Sequence, residues 1–242
     1  MRFYENVSAY LSTVDDGPMG SSTNRVGQYA ENRERFLAKN GIAPGQLVLG
    51  GLVSKDRIGL VTKVPPTQRV PDTDALVTKI PGIALGMVHS DCFPVYLRWP
   101  SGIALVHAGW RGISLGIVSK TLKRLKALGV DPSLLAIQIG VGIQQCHFVM
   151  QDDENGVSHF LNDRDPSLDY RRHIKRVGEL FYVDLRAVAL VQIHATYKAF
   201  GLTVLPGQMR ASKECSFCGE GSFYSQRRQP TPGHNNLSVM VC

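Results

Sequence analysis

A central segment, HSDCFPVYLRWPSGIALVHAGWRG at 89–112, carries a thiol and two imidazoles in a run that otherwise has the composition of buried strands. Cys92 precedes one predicted strand and His107 ends the next, so a hairpin would bring the two side chains together. A cysteine beside a histidine can be an activated nucleophile, because the imidazole favours the thiolate. The same groups are good ligands for Zn²⁺ or copper. The spacing leaves both chemistries open, along with a buried thiol beside a hydrogen-bonded histidine.

The turn after His107 has the features of an anion site. Its sequence, AGWRG at 108–112, contains two glycines, which permit a tight turn and a close approach of a ligand to the backbone. Arg111 adds a cation where a predicted helix begins with free N–H groups. Arg227 and Arg228 form a second candidate for binding phosphate. An ordinary strand-to-helix turn and a solvated edge strand explain the two segments without a ligand.

Cys215 and Cys218 form a CxxC pair, which is the spacing of half a structural zinc site. The sequence shows no second pair, and His234 is the only later histidine. The following GEGSF is a poor helix start, which argues against a thioredoxin-like redox pair. We therefore expect these thiols to be packed in the fold or incidental.

Composition restricts the class of protein. The chain has 242 residues and a net charge of +7, which suits anionic small substrates, nucleic acid or a membrane surface. The basic run RRHIKR at 171–176 is typical of a solvated face, and no nucleic-acid-binding motif accompanies it. Five cysteines argue against a secreted disulfide framework, and neither a signal peptide nor an apolar run of about 20 residues is visible. We expect a cytoplasmic protein that binds neither nucleic acid nor membranes.

The predicted elements are those of an α/β protein with mixed sheets in a single domain, 1–242. The candidate residues lie at the ends of predicted strands, where a sheet presents functional side chains. Residues 94–106 form a predicted hairpin, and Asp184 is the expected N-cap of a helix at 185–200. The other predicted elements are a helix at 26–40, two strands within 47–63 around a turn at 54–57, a strand at 82–88, a helix at 112–128, a strand at 134–142, and helix and loops at 151–178.

Several segments together resemble one family, whose members go by the names laccase-domain protein, multicopper polyphenol oxidase, peptidoglycan editing factor and purine nucleoside phosphorylase. HAGWRG matches a family motif without substitution, and HSDCFPV resembles its DC-x-PV motif. The resemblance spans almost the whole chain and implies α-β-β-α layers of mixed sheets, related to a cysteine-hydrolase-like fold seen in a bacterial deamidating toxin. The remaining matching segments are SSTNRVGQYAENRERF, IGVGIQQCHF, FYVDLRA and CSFCGEGSFYSQRRQPTPGH.

The resemblance also implies an activity and a site. The activity is phosphate-dependent cleavage of adenosine, inosine and methylthioadenosine, with deamination of adenosine, by a monomer or homodimer. The site is a zinc ion bound by His, Cys and His, of which Cys92 and His107 match the cysteine and the second histidine. Arg111 joins them as a catalytic residue. The residues expected to bind purine nucleoside and phosphate are Asp91, Trp110, Arg227 and Arg228.

The first histidine of that zinc site has no counterpart here. Aligning VSKDRI with the family's QVHG segment places Ser54 where the histidine belongs. A neutral hydroxyl is a poor zinc ligand, and two strong ligands are fewer than the three usual for catalytic zinc. His89, three residues before Cys92, is the candidate replacement, although a regular strand turns these two side chains to opposite faces. His147 or His234 is another source, and loss of the metal is the remaining alternative.

Three other functions stay open. The older family name implies copper-dependent oxidation of phenols, but a multicopper centre needs many histidines, and this chain has seven with no His-x-His pair. A metal-free hydrolase or amidase acting on peptidoglycan precursors follows if Cys92 and His107 work without a metal. The last alternative is a non-catalytic relative that binds a nucleotide or a protein partner.

Overall fold

The computed structural model describes residues 2–4, 7–24, 26–153, 156–161, 169–219 and 221–242. The strands are β1 (Arg2–Tyr4), β2 (Val7–Leu11), β3 (Leu47–Gly50), β4 (Ile58–Leu60), β5 (Arg69–Val70), β6 (Ala75–Thr78), β7 (Ala84–His89), β8 (Phe93–Trp99), β9 (Gly102–Ala108), β10 (Ala136–Ile139), β11 (Val149–Met150), β12 (Ile174–Val177), β13 (Leu180–Val183), β14 (Met209–Ala211) and β15 (Asn236–Val241). The α-helices are α1 (Gln28–Lys39), α2 (Trp110–Ser114), α3 (Ile117–Ala127), α4 (Ser158–Leu161) and α5 (Leu185–Ala199). Short 3-10 turns occur at Val14–Asp16, Pro44–Gln46, Pro132–Leu134 and Arg171–His173.

Two six-stranded mixed sheets form the centre of the molecule. The first has the strand order β1-β2-β15-β7-β3-β5, and the second has the order β14-β10-β8-β9-β6-β4. A small third sheet has the order β11-β13-β12. The predicted hairpin is confirmed as β8 and β9, which pair from Phe93 with Ala108 to Trp99 with Gly102.

The layers follow from where the apolar side chains pack. Residues of β3, β7, β8, β9 and β15 form one core between the two large sheets. Helix α1 covers the outer face of the first sheet through Phe36 and Leu37. Helices α3 and α5 cover the outer face of the second sheet. The predicted α-β-β-α layering is therefore confirmed, while the relation to cysteine hydrolases stays a prediction. Because the second sheet is covered on both faces, β9 is buried along its whole length, as its nearly unbroken apolar sequence indicates.

Three sequence predictions differ from the structure. The helix expected at 112–128 is two helices, because Gly116 adopts a left-handed conformation (φ 80°) between α2 and α3. The strands expected on either side of the turn at 54–57 are β3 and β4, but they lie in different sheets, so the turn is a crossover. The region 151–178 contains the strand β12, where only helix and loops were expected.

The start of α5 was predicted from a local sequence signal, the N-cap residue. It begins after Asp184, whose carboxylate accepts a hydrogen bond from the Ala187 N–H at 2.8 Å, as the predicted N-cap requires. In the described part of the chain, no helix has both the length and the apolar character needed to cross a membrane.

Candidate active site

The hairpin brings Cys92 and His107 together, as predicted. His107 lies opposite Pro94 in the β8–β9 register, and Cys92 immediately precedes β8. Gly109 marks how close the two side chains are. A Cβ atom at that position would lie 2.9 Å from the Cys92 sulfur and 3.6 Å from His107 Nε2. The glycine therefore leaves room for the thiol beside the imidazole.

Asp74, which sequence reasoning missed, orients the imidazole. Its fully buried carboxylate lies 3.1 Å from His107 Nδ1, so Nδ1 donates to Asp74 and Nε2 is directed away from it. The same carboxylate accepts hydrogen bonds from the N–H groups of Ser54 and Lys55, each at 2.9 Å, and of Val53 at 3.3 Å. Only the pairing of β6 with β9 places Asp74, the residue before β6, beside the end of β9.

The electrostatics favour a charged imidazole. Burial by itself lowers the pKa of His107, but the charge of Cys92 and hydrogen bonds to Asp74 and Cys92 outweigh it and raise the pKa well above its ordinary value. Burial likewise raises the pKa of Asp74, but its bonds to His107 and the backbone N–H groups lower it overall. The three side chains therefore form a Cys–His–Asp relay, an arrangement that activates nucleophiles and moves protons.

His89 has a different partner. It is buried at the end of β7, and its Nε2 lies 2.7 Å from Ser238 Oγ, which also accepts a hydrogen bond from the Tyr96 hydroxyl. Burial, followed by the charge of His107, lowers the pKa of His89 to about 3, so the ring is neutral. Among the described residues, its buried Nδ1 has no hydrogen-bond partner. The three-ligand set that includes His89 is not assembled among the described residues, where three or more potential ligands gather at a different place.

The anion-binding candidates separate into two kinds. Arg111 is exposed, and its guanidinium carbon lies 4.3 Å from the centre of the Trp110 ring, which also neighbours His159. Arg228 instead donates hydrogen bonds to the carbonyl groups of Ser216, Phe217, Gly219 and Phe223. These donors hold the backbone of the C-terminal segment, and the binding of substrate by Arg228 stays a prediction.

Asp91 and Arg227 also contribute to that segment. The Asp91 carboxylate accepts hydrogen bonds from Ser216 Oγ at 2.7 Å and from the Arg227 N–H at 2.8 Å. Asp91, which immediately precedes Cys92, is therefore tied to the C-terminal segment, and its contact with substrate stays a prediction. The Arg227 side chain is exposed and donates to the Val149 carbonyl at 3.0 Å, so its charge stays at the surface.

Cys146, His147, Cys215 and Cys218 form a compact group, named here the thiol cluster. Their ligand atoms all lie within 4.8 Å of one another. The cluster has a donor set that can hold a metal, and the expectation that the CxxC thiols are packed in the fold or incidental stays a prediction. Sequence reasoning missed the cluster because Cys146 and Cys215 are 69 residues apart and come together through the tertiary fold, beside the bridge between Gly142 and Cys215. The adjacent Cys and His at 146 and 147 were the available signal.

Comparisons with known proteins agree with this fold. A family model described as multi-copper polyphenol oxidoreductase laccase matches residues 19–241. A Corynebacterium glutamicum protein named purine nucleoside phosphorylase is 34% identical over 122 residues, which cover 49% of this chain and 50% of that protein. A protein of the same name from Bacteroides thetaiotaomicron is 31% identical over 158 residues, covering 64% of this chain and 55% of that protein. The chain thus spans about half the length of the curated relatives it matches.

Solved structures extend the likeness to nearly the whole chain. The crystal structure of YlmD from Geobacillus stearothermophilus has a TM-score of 0.85 at 23% identity, covering 98% of this chain and 92% of that one. The crystal structure of the Bacillus licheniformis hypothetical protein YfiH has a TM-score of 0.85 at 21% identity, covering 97% and 92%. The layered fold is therefore shared with these proteins.

Proposed function

Since this chain belongs to the multi-copper polyphenol oxidoreductase laccase family, we propose that it is a purine nucleoside phosphorylase, the activity that names its curated relatives. The observation that carries the proposal is the relay of Cys92, His107 and Asp74, with the exposed cation of Arg111 two residues along the chain from Gly109, which packs against the relay. Adenosine, inosine and methylthioadenosine are the substrates implied by the family motifs. Phosphate is the second substrate.

The relay suits the proton transfer that phosphorolysis needs. A phosphate oxygen forms a bond to C1′ of the ribose while the C1′–N9 bond breaks. The electron pair of the breaking bond passes to N9 of the purine. The charged imidazole of His107 donates its Nε2 proton to the departing purine, and the proton of dihydrogen phosphate restores it. Cys92 and Asp74 hold His107 in its charged form. Arg111 offsets the charge of the phosphate, and the Trp110 ring offers a face for stacking the base.

The donor set at this site does not fit the zinc ion that the family motifs imply. Cys92 and His107 supply two ligands, and among the described residues His89 does not gather with them into a group of three candidate ligands. Ser54, at the place of the third ligand, has a neutral hydroxyl, and its N–H donates to Asp74. Catalytic zinc usually has three protein ligands. Copper chemistry meets the same obstacle, because a blue-copper site needs two histidines and a cysteine. The proposed phosphorolysis therefore uses no metal. Deamination of adenosine is a less favoured activity for this chain than phosphorolysis.

A second candidate is a Cys–His hydrolase or amidase. The relay of Cys92, His107 and Asp74 has the order of groups found in enzymes that form covalent acyl intermediates. Cys92 would attack a carbonyl carbon, and His107 would protonate the leaving amine. An amidase needs the Cys92 sulfur itself, whereas phosphorolysis needs the charge beside His107. Rapid alkylation of Cys92 by iodoacetamide, with amide hydrolysis and no nucleoside cleavage, would favour this alternative.

Release of hypoxanthine from inosine, measured with and without phosphate, tests the proposal directly. We expect phosphate-dependent release by the wild type, near-complete loss in His107→Ala and Cys92→Ala, and a raised KM for phosphate in Arg111→Ala. Lys123→Ala removes an exposed cation from α3 and serves as the matched control. No release above the protein-free rate from inosine, adenosine or methylthioadenosine would refute the proposal. Thermal stabilisation by these nucleosides without turnover would instead indicate a non-catalytic binding protein.

A further inference from the structure

We propose that the thiol cluster of Cys146, His147, Cys215 and Cys218 is a structural zinc site, separate from the candidate active site. The proposal is independent of the proposed phosphorylase activity. It rests on the donor set, the distances within the cluster and the way the cluster joins two distant segments of the chain.

The sulfur positions match a tetrahedral zinc ion. Bonds of about 2.3 Å from zinc to sulfur at tetrahedral angles place two sulfurs about 3.8 Å apart. The Cys146 sulfur lies 3.8 Å from that of Cys215 and 3.6 Å from that of Cys218. A disulfide needs about 2.05 Å between sulfurs, so none of these contacts is a covalent bond. The free thiols of the chain include all three.

The histidine completes the set of four. His147 Nδ1 lies 3.2 Å from the sulfurs of both Cys146 and Cys218. Zinc bonded to sulfur and nitrogen at tetrahedral angles separates these atoms by about 3.6 Å, so a shift of a few tenths of an ångström would accommodate the ion. The imidazole stacks on Phe217, with ring centres 3.9 Å apart and planes 13° apart. This stacking holds Nδ1 towards the sulfurs.

The surroundings support bound thiolates. The Gln144 N–H donates to the Cys215 sulfur at 3.4 Å, a contact that stabilises a metal-bound thiolate from outside the ligand set. Three sulfurs and one imidazole nitrogen are soft ligands, which favour zinc over magnesium or calcium. Four protein ligands leave no open position for a substrate. The site therefore has a structural role, and the ion is permanently coordinated by protein.

The ion would cross-link the segment after β10 to the C-terminal segment. The Gly142–Cys215 bridge and the hydrogen bond from the Ser216 N–H to the Gly142 carbonyl already bring the two segments together. Ser216 in turn donates to Asp91, the residue before Cys92. Zinc at the thiol cluster would therefore stabilise the backbone that supports one side of the candidate active site. Its loss would loosen this support without removing any group of the relay.

Metal content distinguishes this site from the candidate active site. We expect about one zinc per chain in the wild type purified under reducing conditions, measured by inductively coupled plasma mass spectrometry. Cys218→Ser and His147→Ala should lose most of it, whereas Cys92→Ala and the matched control Cys242→Ser should keep it. Zinc retained in Cys218→Ser and lost in Cys92→Ala would overturn the proposal, as would no stoichiometric zinc in the wild type after reconstitution.

Two measurements on the wild type remain informative if a variant fails to fold. Cobalt substituted for zinc should show thiolate-to-cobalt charge-transfer absorption and the intense visible bands of tetrahedral coordination. Zinc should also protect Cys146, Cys215 and Cys218 from alkylation until a chelator removes it, as peptide mass spectrometry would reveal. An octahedral cobalt spectrum, alkylation unaffected by chelation, or a disulfide within the cluster in freshly purified protein would each contradict the site. None of these measurements depends on inosine cleavage. The structural zinc site and the phosphorylase activity can therefore be refuted separately.

Discussion

Replacing Asp74 with asparagine removes one charge from the relay while keeping the size of the side chain. The two carboxylate oxygens are used differently. Oδ1 faces His107 Nδ1 and the Ser54 N–H, and Oδ2 faces the N–H groups of Val53 and Lys55. An amide has only one acceptor oxygen, so its NH₂ group must meet donors on one side.

Each orientation of the amide has a definable cost. With NH₂ towards His107, the Ser54 N–H loses its acceptor, and Nδ1 must lose its proton to accept a hydrogen bond from the amide, so the imidazole becomes neutral. With NH₂ towards Val53 and Lys55, the backbone N–H groups of these two residues lose their acceptor oxygen. A buried donor left without a partner costs about 1–3 kcal/mol, so we expect Asp74→Asn to lower the free energy of unfolding by roughly 2–4 kcal/mol. The same replacement of aspartate by asparagine in a Ser-His-Asp triad lowers kcat by about 10⁴.

Urea denaturation and phosphorolysis of inosine measure the two effects of Asp74→Asn. Asp131→Asn is the matched control, since Asp131 accepts its hydrogen bond from the Ser133 N–H in an exposed turn. We expect the control to stay within about 0.5 kcal/mol of the wild type, with unchanged kcat. If Asp74→Asn keeps both wild-type stability and wild-type kcat, Asp74 does not orient His107 and the relay is refuted.

Three further predictions follow from single contacts. Gly109→Ala puts a Cβ 2.9 Å from the Cys92 sulfur, so kcat should fall at least tenfold. The circular dichroism spectrum should stay unchanged. A wild-type kcat in this variant would contradict the close packing of Gly109 against Cys92. Asp184→Ala removes the N-cap of α5 and should cost about 1 kcal/mol in urea denaturation, a loss that Asp184→Asn should largely avoid. The charged form of His107 is favoured by folding, so its stabilisation is complete below the unfolded pKa of 6.5 and is lost as pH rises through the folded pKa of about 10. Stability should therefore fall from pH 7 to 10, and an identical slope in His107→Gln would remove this assignment.

Local sequence signals were sufficient for the elements nearest the reactive pair. The apolar runs on either side of the Pro-Ser-Gly turn specify the β8–β9 hairpin, whose register sets Cys92 beside His107. The Asp184 cap marks the start of α5 for the same reason, since the capping bond spans three residues. The break at Gly116 was missed, because apolar residues at steps of 3–5 fit one helix as well as two.

The pairing of Cys92 with His107 was determined by the sequence alone, because a hairpin with a short turn allows one register for these strands. Only the tertiary structure decided the partners that come from distant segments: Asp74 through the pairing of β6 with β9, and Ser238 on His89 through the pairing of β15 with β7. The thiol cluster belongs to the same class, because its halves meet across 69 residues of chain. Such contacts depend on which strands pair and which sheet covers them, and neither is encoded within a short window of sequence.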